Sequence, residues 1–404
     1  MRSVVVALAL SLAPGVAHAQ SPAEEPATRA EALRAEREAK ANALEPYTPN
    51  ALERGMSLLE SRGLFLIARE GFFPKLGSLT TGSGFAYGVG YRDRDLLRHS
   101  GIVEVFAAAS LQKYWALDAR ALFTPPQSRY YAEAFARRRE YPSEDFFGLG
   151  PDTRRADRTN FMLRQTSGGG RAGIRPTRWL LTGGGVEFFA PRASRGRSSD
   201  VPSVEEVFSP GTVPGLWSRA NFLRTHAFLE VDYREPRNAR RGGWYRLDFS
   251  HFNDRTSGQF TFDRVDADVR QYIGMLAGRR IIALRGWVSS AVADDGRQVP
   301  FYLMPYLGGN DTLRGFREYR FRAPHAMLLQ AEYRWEVWSA LDAALFYDAG
   351  KVAFSRRHLN FDDLQSDYGF GFRFNTDNGV VMRIDAGFGS RDGKHLYITF
   401  GGVF

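Results

Sequence analysis

From Leu64 to the carboxy terminus, apolar and polar residues alternate with a period of two. In the stretch Ala326 to Trp338, Met327, Leu329, Ala331, Tyr333, Trp335 and Val337 share one face, while Gln330, Glu332, Arg334 and Glu336 share the other. Side chains of a strand point alternately to its two faces, so this segment predicts a strand that is apolar on one side and wet on the other. The same alternation sets Phe85, Tyr87, Val89 and Tyr91 against Gly88, Gly90 and Arg92. It sets Tyr245, Leu247 and Phe249 against Arg246, Asp248 and Ser250, and Val265, Ala267 and Val269 against Arg264, Asp266, Asp268 and Arg270. Near the end, Phe370, Phe372 and Phe374 alternate with Gly371, Arg373 and Asn375.

Segments of this kind fall near 64–72, 83–93, 101–111, 114–124, 128–139, 160–175, 178–190, 220–235, 243–252, 260–273, 279–290, 326–338, 341–353, 366–374, 379–389 and 395–404. The count is even, as closure of a single-chain bacterial barrel requires. Two long connections interrupt the rhythm, Arg192 to Arg219 and Ala291 to His325. A soluble sandwich also tolerates one wet face. Repetition of the strands to the end of the chain and the aromatic character of the apolar face favour a membrane barrel with interfacial girdles. The expected fold is therefore all-β, a sixteen-stranded antiparallel transmembrane β-barrel with an inward-folded long loop and a short N-terminal polar helix or tail.

The amino terminus has a different pattern. Arg2, the apolar run Val4 to Ala13 and the small-x-small Ala17-His18-Ala19 read as a secretory signal peptide over residues 1–19. The apolar run is too short for a membrane anchor, which needs about 20 residues. Residues 20–62 are alanine-rich and charged, with Glu31, Arg34, Glu36, Arg37, Glu38 and Lys40 at helical spacing before Pro46 and Pro49, and predict a periplasmic segment, either helical or disordered. Residues 63–404 form the predicted barrel.

Composition narrows the chemistry. The 404 residues include 31 Phe, 17 Tyr, 7 Trp and 41 Gly but no Cys, which excludes disulfides, thiolate metal sites and cysteine nucleophiles. Mean hydropathy is −0.34, and no apolar run is long enough for a membrane helix. The formal charge of +9 suits anionic lipid headgroups or a cation-rich lumen rather than nucleic acid. There is no Gly-x-Ser-x-Gly elbow, phosphate loop or His-Glu-x-x-His, and Gly168-Gly169-Gly170-Arg171-Ala172-Gly173 runs on into a strand rather than a helix. The histidines are isolated, so neither a metal nor a cofactor is expected.

The second long connection contains Gly308-Gly309-Asn310-Asp311-Thr312-Leu313-Arg314-Gly315-Phe316-Arg317-Glu318-Tyr319-Arg320. With Ala331-Glu332-Tyr333-Arg334, Phe346-Tyr347-Asp348-Ala349-Gly350 and the terminal Thr399-Phe400-Gly401-Gly402-Val403-Phe404, this region resembles the bacterial surface antigen family, the BamA/TamA-like barrels of the outer membrane. The resemblance implies a loop folded into the lumen, with Arg314-Gly315-Phe316 at its tip and Glu332 and Asp348 as the carboxylate partners of Arg314. Both acids lie on inward parity, although they could equally pair with strand arginines such as Arg334. An arginine fork fixes direction on a carboxylate better than lysine. Gly315 permits a tight tip, and Phe316 supplies a packing plug.

Phe400 and Phe404 resemble the family's carboxy-terminal sorting signal; the same pattern also serves as the lipid face of a closing strand. Residues 20–62 are too short for the periplasmic POTRA repeats of better-known members. The resemblance implies location in the outer membrane of a Gram-negative bacterium. The expected partners are outer-membrane lipid and lipopolysaccharide, the barrel assembly machinery, and a periplasmic partner or client protein. The expected role is membrane biogenesis through protein insertion, assembly or secretion. A plugged passive pore is the alternative, followed by a barrel lipid-modifying enzyme.

Overall fold

The computed structural model describes residues 70–400, apart from 78, 81, 96–99, 126–127, 236–238, 339, 377–378 and 391. The expected signal peptide and periplasmic segment lie outside the described residues. The first eleven strands are β1 (Gly71–Gly77), β2 (Ala86–Asp95), β3 (Gly101–Ser110), β4 (Trp115–Phe123), β5 (Tyr130–Phe146), β6 (Thr159–Thr177), β7 (Leu180–Arg195), β8 (Phe222–Asp232), β9 (Gly242–Asp254), β10 (Phe262–Met275) and β11 (Arg280–Ala293). Two short strands within the long loop, β12 (Tyr306–Leu307) and β13 (Phe321–Arg322), pair with each other. The chain then returns through β14 (His325–Trp338), β15 (Leu341–Ala353), β16 (Gln365–Thr376), β17 (Gly379–Ser390) and β18 (Gly393–Phe400).

Apart from β12 and β13, all strands join one 16-stranded antiparallel sheet in chain order, with β11 passing directly to β14. Among the described residues no ladder joins β1 to β18, so the barrel is nearly closed. The period of two survives in three dimensions: Leu329, Tyr333 and Val337 of β14 are exposed, while Gln330, Glu332 and Arg334 between them are buried. Tyr87, Val89, Phe249, Val269, Leu345, Tyr347 and Phe370 also face outward. An outer band of this kind suits lipid. No helix among the described residues is long and apolar enough to cross a membrane.

Strand boundaries follow the sequence pattern closely except at the start. Of the first strand, expected near 64–72, residues 64–69 lie outside the described residues; β1 starts at Gly71 and runs on through Pro74, which pairs with Val89. Proline lacks an N–H and normally breaks a strand pattern, but an edge strand has one unpaired side where that loss costs nothing. Strands β5 and β6 extend past their expected ends, and a shift of register between Tyr141 and Glu144 carries β5 on to Phe146.

The connections differ at the two ends. Residues 178–179 and 276–279 turn tightly at one end, whereas 147–158, 196–221, 294–324 and 354–364 crowd the other. In bacterial outer-membrane barrels, short turns mark the periplasmic rim and long loops the extracellular one. At the long-loop end, Phe146, Phe161, Phe301, Tyr302, Val213 and Leu216 bury one another. Phe301 meets Phe146 and Phe161 edge-on at 5.0 and 4.9 Å, a favourable arrangement for ring quadrupoles.

Candidate functional site

The loop 294–324 passes inward and presents Arg314 to the inner faces of β14 to β17. The side chains of Arg314, Glu332 and Asp348 are all 0% exposed. Arg314 Nε and Nη2 donate to the two oxygens of Asp348 at 2.8 and 2.7 Å, and Nη1 donates to Glu332 Oε2 at 2.8 Å. The Arg314 backbone N–H adds a contact to Asp348 at 3.2 Å. The guanidinium also lies 3.5 Å from the centroid of the Phe346 ring. Charge-assisted bidentate pairing and contact with an aromatic face are the interactions a planar guanidinium makes best. Burial alone would depress the Arg314 pKa, but Asp348, Glu332 and Asp385 hold it well above its ordinary value.

Several neighbours complete the network, and of these the sequence singled out only Arg334 as a partner. Arg373 bridges Glu332 and Asp385, each at 2.8 Å, and Arg334 reaches Glu332 at 2.6 Å. Arg383 holds Asp385 at 3.1 Å and donates to the Asn310 carbonyl at 2.8 Å. Gln330 donates to both Asp348 and the Thr312 carbonyl. Glu332 therefore serves Arg314, Arg334 and Arg373 together, so the two partner assignments left open by the sequence coexist. Inward parity signalled Arg373 and Asp385, which alternate with the outward residues of β16 and β17, but not which groups would meet.

Two glycines permit the close approach of the tip. A Cβ on Gly315 would lie 2.4 Å from Asp367 Cβ, and one on Gly387 would lie 2.3 Å from the Arg314 carbonyl oxygen. Phe316 is buried among Leu307, Leu313, Phe321, Leu328 and Val352, with its ring edge-on to Phe321 at 5.3 Å. Farther along the chain, Tyr397 of β18 donates to the Phe316 carbonyl at 2.7 Å, and Asn310 donates to Thr399 at 3.0 Å. Arg320 pairs with Asp392 at 2.8 Å and donates to the Thr153 carbonyl at 2.7 Å. Burial first, then Glu144, pushes the neighbouring Tyr319 hydroxyl well above its ordinary pKa. Of the expected sorting residues, Phe400 ends β18 opposite Met382, and Phe404 lies outside the described residues.

Beside the tip, a cavity of about 1260 Å³ opens at the seam between the first and last strands. Gly77, Phe85, Tyr114, Arg317, Tyr397 and Ile398 are among the residues that line it. On the outer surface near the seam, Phe72, Leu76, Leu396 and Ile398 are all exposed.

Sixteen antiparallel strands in chain order, an apolar outer band and an arginine-tipped loop bound to the inner wall define an outer-membrane-type β-barrel. More particularly, residues 235–399 match the model of the Omp85 superfamily domain. No curated protein matches it. Among solved structures, BamA from Haemophilus ducreyi lacking POTRA domains 1–3 is similar at 12% identity and a TM-score of 0.58, covering 85% of this chain and 77% of that one. CdiB from Acinetobacter baumannii (11% identity, TM-score 0.52) and CdiB from Escherichia coli (14%, 0.53) each cover 81% of this chain. This chain spans 59% and 61% of those two CdiB chains, and at such identities the likeness is one of fold.

Proposed function

We propose that this barrel works without catalysis in the outer membrane of a Gram-negative bacterium, in protein insertion, assembly or secretion, with Arg314, Gly315 and Phe316 locking the loop to Glu332 and Asp348. The observation that carries this reading is the position of the lock. It ties the loop to the inner faces of the last strands, next to a seam where β1 and β18 form no ladder among the described residues. Strand edges without a ladder offer backbone donors and acceptors to an incoming strand. A loop anchored to β14–β17 and touching β18 would hold one side of that seam in place while a client strand pairs there. The Omp85 superfamily domain supports the same role, and the outward apolar band supports the location.

Fractionation should place the chain with outer-membrane markers. Depletion should lower the outer-membrane level of client barrels or the export of secreted proteins, and Arg314→Ala should fail to restore it. Normal client levels after depletion, combined with a large steady conductance of the purified chain in planar bilayers, would sink this role in favour of a plugged pore.

A further inference from the structure

We infer that the outer face of β5–β7, at the long-loop rim, binds the phosphorylated headgroup of an outer-leaflet lipid; this rests on the outer-membrane reading above. Register identifies the face. Glu133 and Arg171 bond to each other inside the barrel, and Tyr141, Leu163 and Ala193 pack into the interior aromatic cluster. Residues one position away therefore point outward. Cross-strand pairing aligns Trp115, Glu140, Arg164 and Arg192 in one outward row across β4–β7. In the outward row beneath it, Arg138 lies between Leu117 and Thr166.

Charge on this face is unbalanced. Arg164 and Arg197 share the single carboxylate of Glu140, at 3.8 and 3.3 Å, and keep side-chain exposures of 52% and 56%. Arg192 donates to the carbonyls of Pro191 and Ala220 and to the Asn221 side chain, so its position is fixed without a carboxylate partner. Arg138 is exposed, and none of the hydrogen bonds or ion pairs described for its neighbours involves it. Strand parity thus turns three guanidiniums, those of Arg138, Arg164 and Arg192, outward around one carboxylate, which Arg197 of the following loop also shares. On the lumenal side of the same strands the acids keep pace better: Arg171 has Glu133, and Arg137 and Arg139 share Asp118.

Depth along the barrel decides what these cations meet. Tyr130, exposed at the short-turn end, lies eight residues before Arg138 on the same face of β5. At roughly 3.3 Å per residue and a tilt of about 40°, that is ~20 Å of height, with the Arg164 row a few Å farther. The apolar band of an outer-membrane barrel is about 25 Å tall, so the arginines fall where acyl chains give way to headgroups. Val186 and Phe188, on the same outward face of β7 below Arg192, are exposed as lipid contacts should be. Arginine forks pair with phosphate oxygens through parallel charge-assisted bonds. A lipid phosphate supplies the negative charge this face lacks.

The test uses the folded full chain in detergent, with retained lipid read by native mass spectrometry. The probes are bisphosphorylated lipid A, dephosphorylated lipid A with the same acyl chains, and inorganic phosphate as competitor. Preferential retention of the bisphosphorylated lipid is expected, weakened about tenfold or more in R138Q/R164Q, with inorganic phosphate failing to displace it. Equal retention of both lipids, unchanged retention by a double variant that still shows heat-modifiable mobility, or displacement by millimolar phosphate would each overturn the inference, the last by assigning a free-anion site. Should the double variant not fold, Arg138→Gln alone carries the test: weaker retention supports the site and parental retention overturns it. Because retention is read on the folded barrel, a negative result leaves the fractionation test of location independent.

Discussion

Two walls of the lumen handle the same chemistry in opposite ways. Along β2–β5 the arginines stay partly wet around sheltered carboxylates: Arg92 and Arg120 share Glu104, and Arg137 and Arg139 share Asp118, with exposures of 45% for Arg120 and 36% for Arg137 but 13% for Glu104 and 8% for Asp118. Along β14–β17 the pairs are dry, and Arg314, Glu332, Asp348 and Asp385 are all fully buried. Wet pairs gain little, because water already solvates each charge. Dry pairs gain modestly when complete, but losing one member leaves the others charged and without water. Similar residues therefore form a partly wet lining on one wall and a fully buried cluster on the other, where the loop supplies Arg314 and covers it.

The largest effect expected from breaking this contrast is at Arg314. Replacing it with alanine leaves Glu332 and Asp348 short of a cation, and we expect a loss of about 3–5 kcal/mol in urea unfolding of the detergent-folded barrel, with new protease cleavage in the loop. A variant as stable and as protease-resistant as the parent would remove the distinction between the walls. Gly315→Ala should come next, at about 1–3 kcal/mol, because its methyl group must displace Asp367. Retained stability there would mean that the tip has room the geometry does not show. On the wetter wall, Arg120→Gln should cost less than about 1 kcal/mol by the same measurement, because its side chain is 45% exposed and 3.8 Å from Glu104. The smallest effect concerns alkaline pH. The folded pKa of Arg314 lies above its ordinary value, so its contribution is complete below the unfolded pKa and is lost only as pH rises through the higher folded one. The unfolding midpoint should therefore show no Arg314-dependent change between about pH 7 and 10; a fall in that range that Arg314→Ala abolishes would contradict the sign.

Much of this was legible in the sequence because a strand with one lipid face repeats every two residues. Leu329, Tyr333 and Val337 mark β14 as plainly in the sequence as in the structure. The first strand was harder to place, since Pro74 looks like a terminator unless the strand is known to lie at an edge. Arg314, Glu332 and Asp348 stood out through ordered motifs. Arg373, Arg383 and Asp385 did not, because alternation gives a residue's face but not its partners, and these meet only once register aligns β14 through β17. The outward arginines of β5–β7 were hidden for the same reason. Arg138 reads as one charge in a run of three, and its face becomes clear only when Glu133 and Tyr141 are seen to point inward.

The central claim is that Arg314 and Asp348 act as one coupled unit holding the loop to the wall. A double-mutant cycle with Arg314→Ala, Asp348→Ala and the combined variant, read by urea unfolding in one detergent, tests it directly. The account predicts that the double variant is less destabilised than the sum of the single ones, with a coupling above about 1 kcal/mol. Additive losses would show that the two side chains sit together in the barrel without holding it closed.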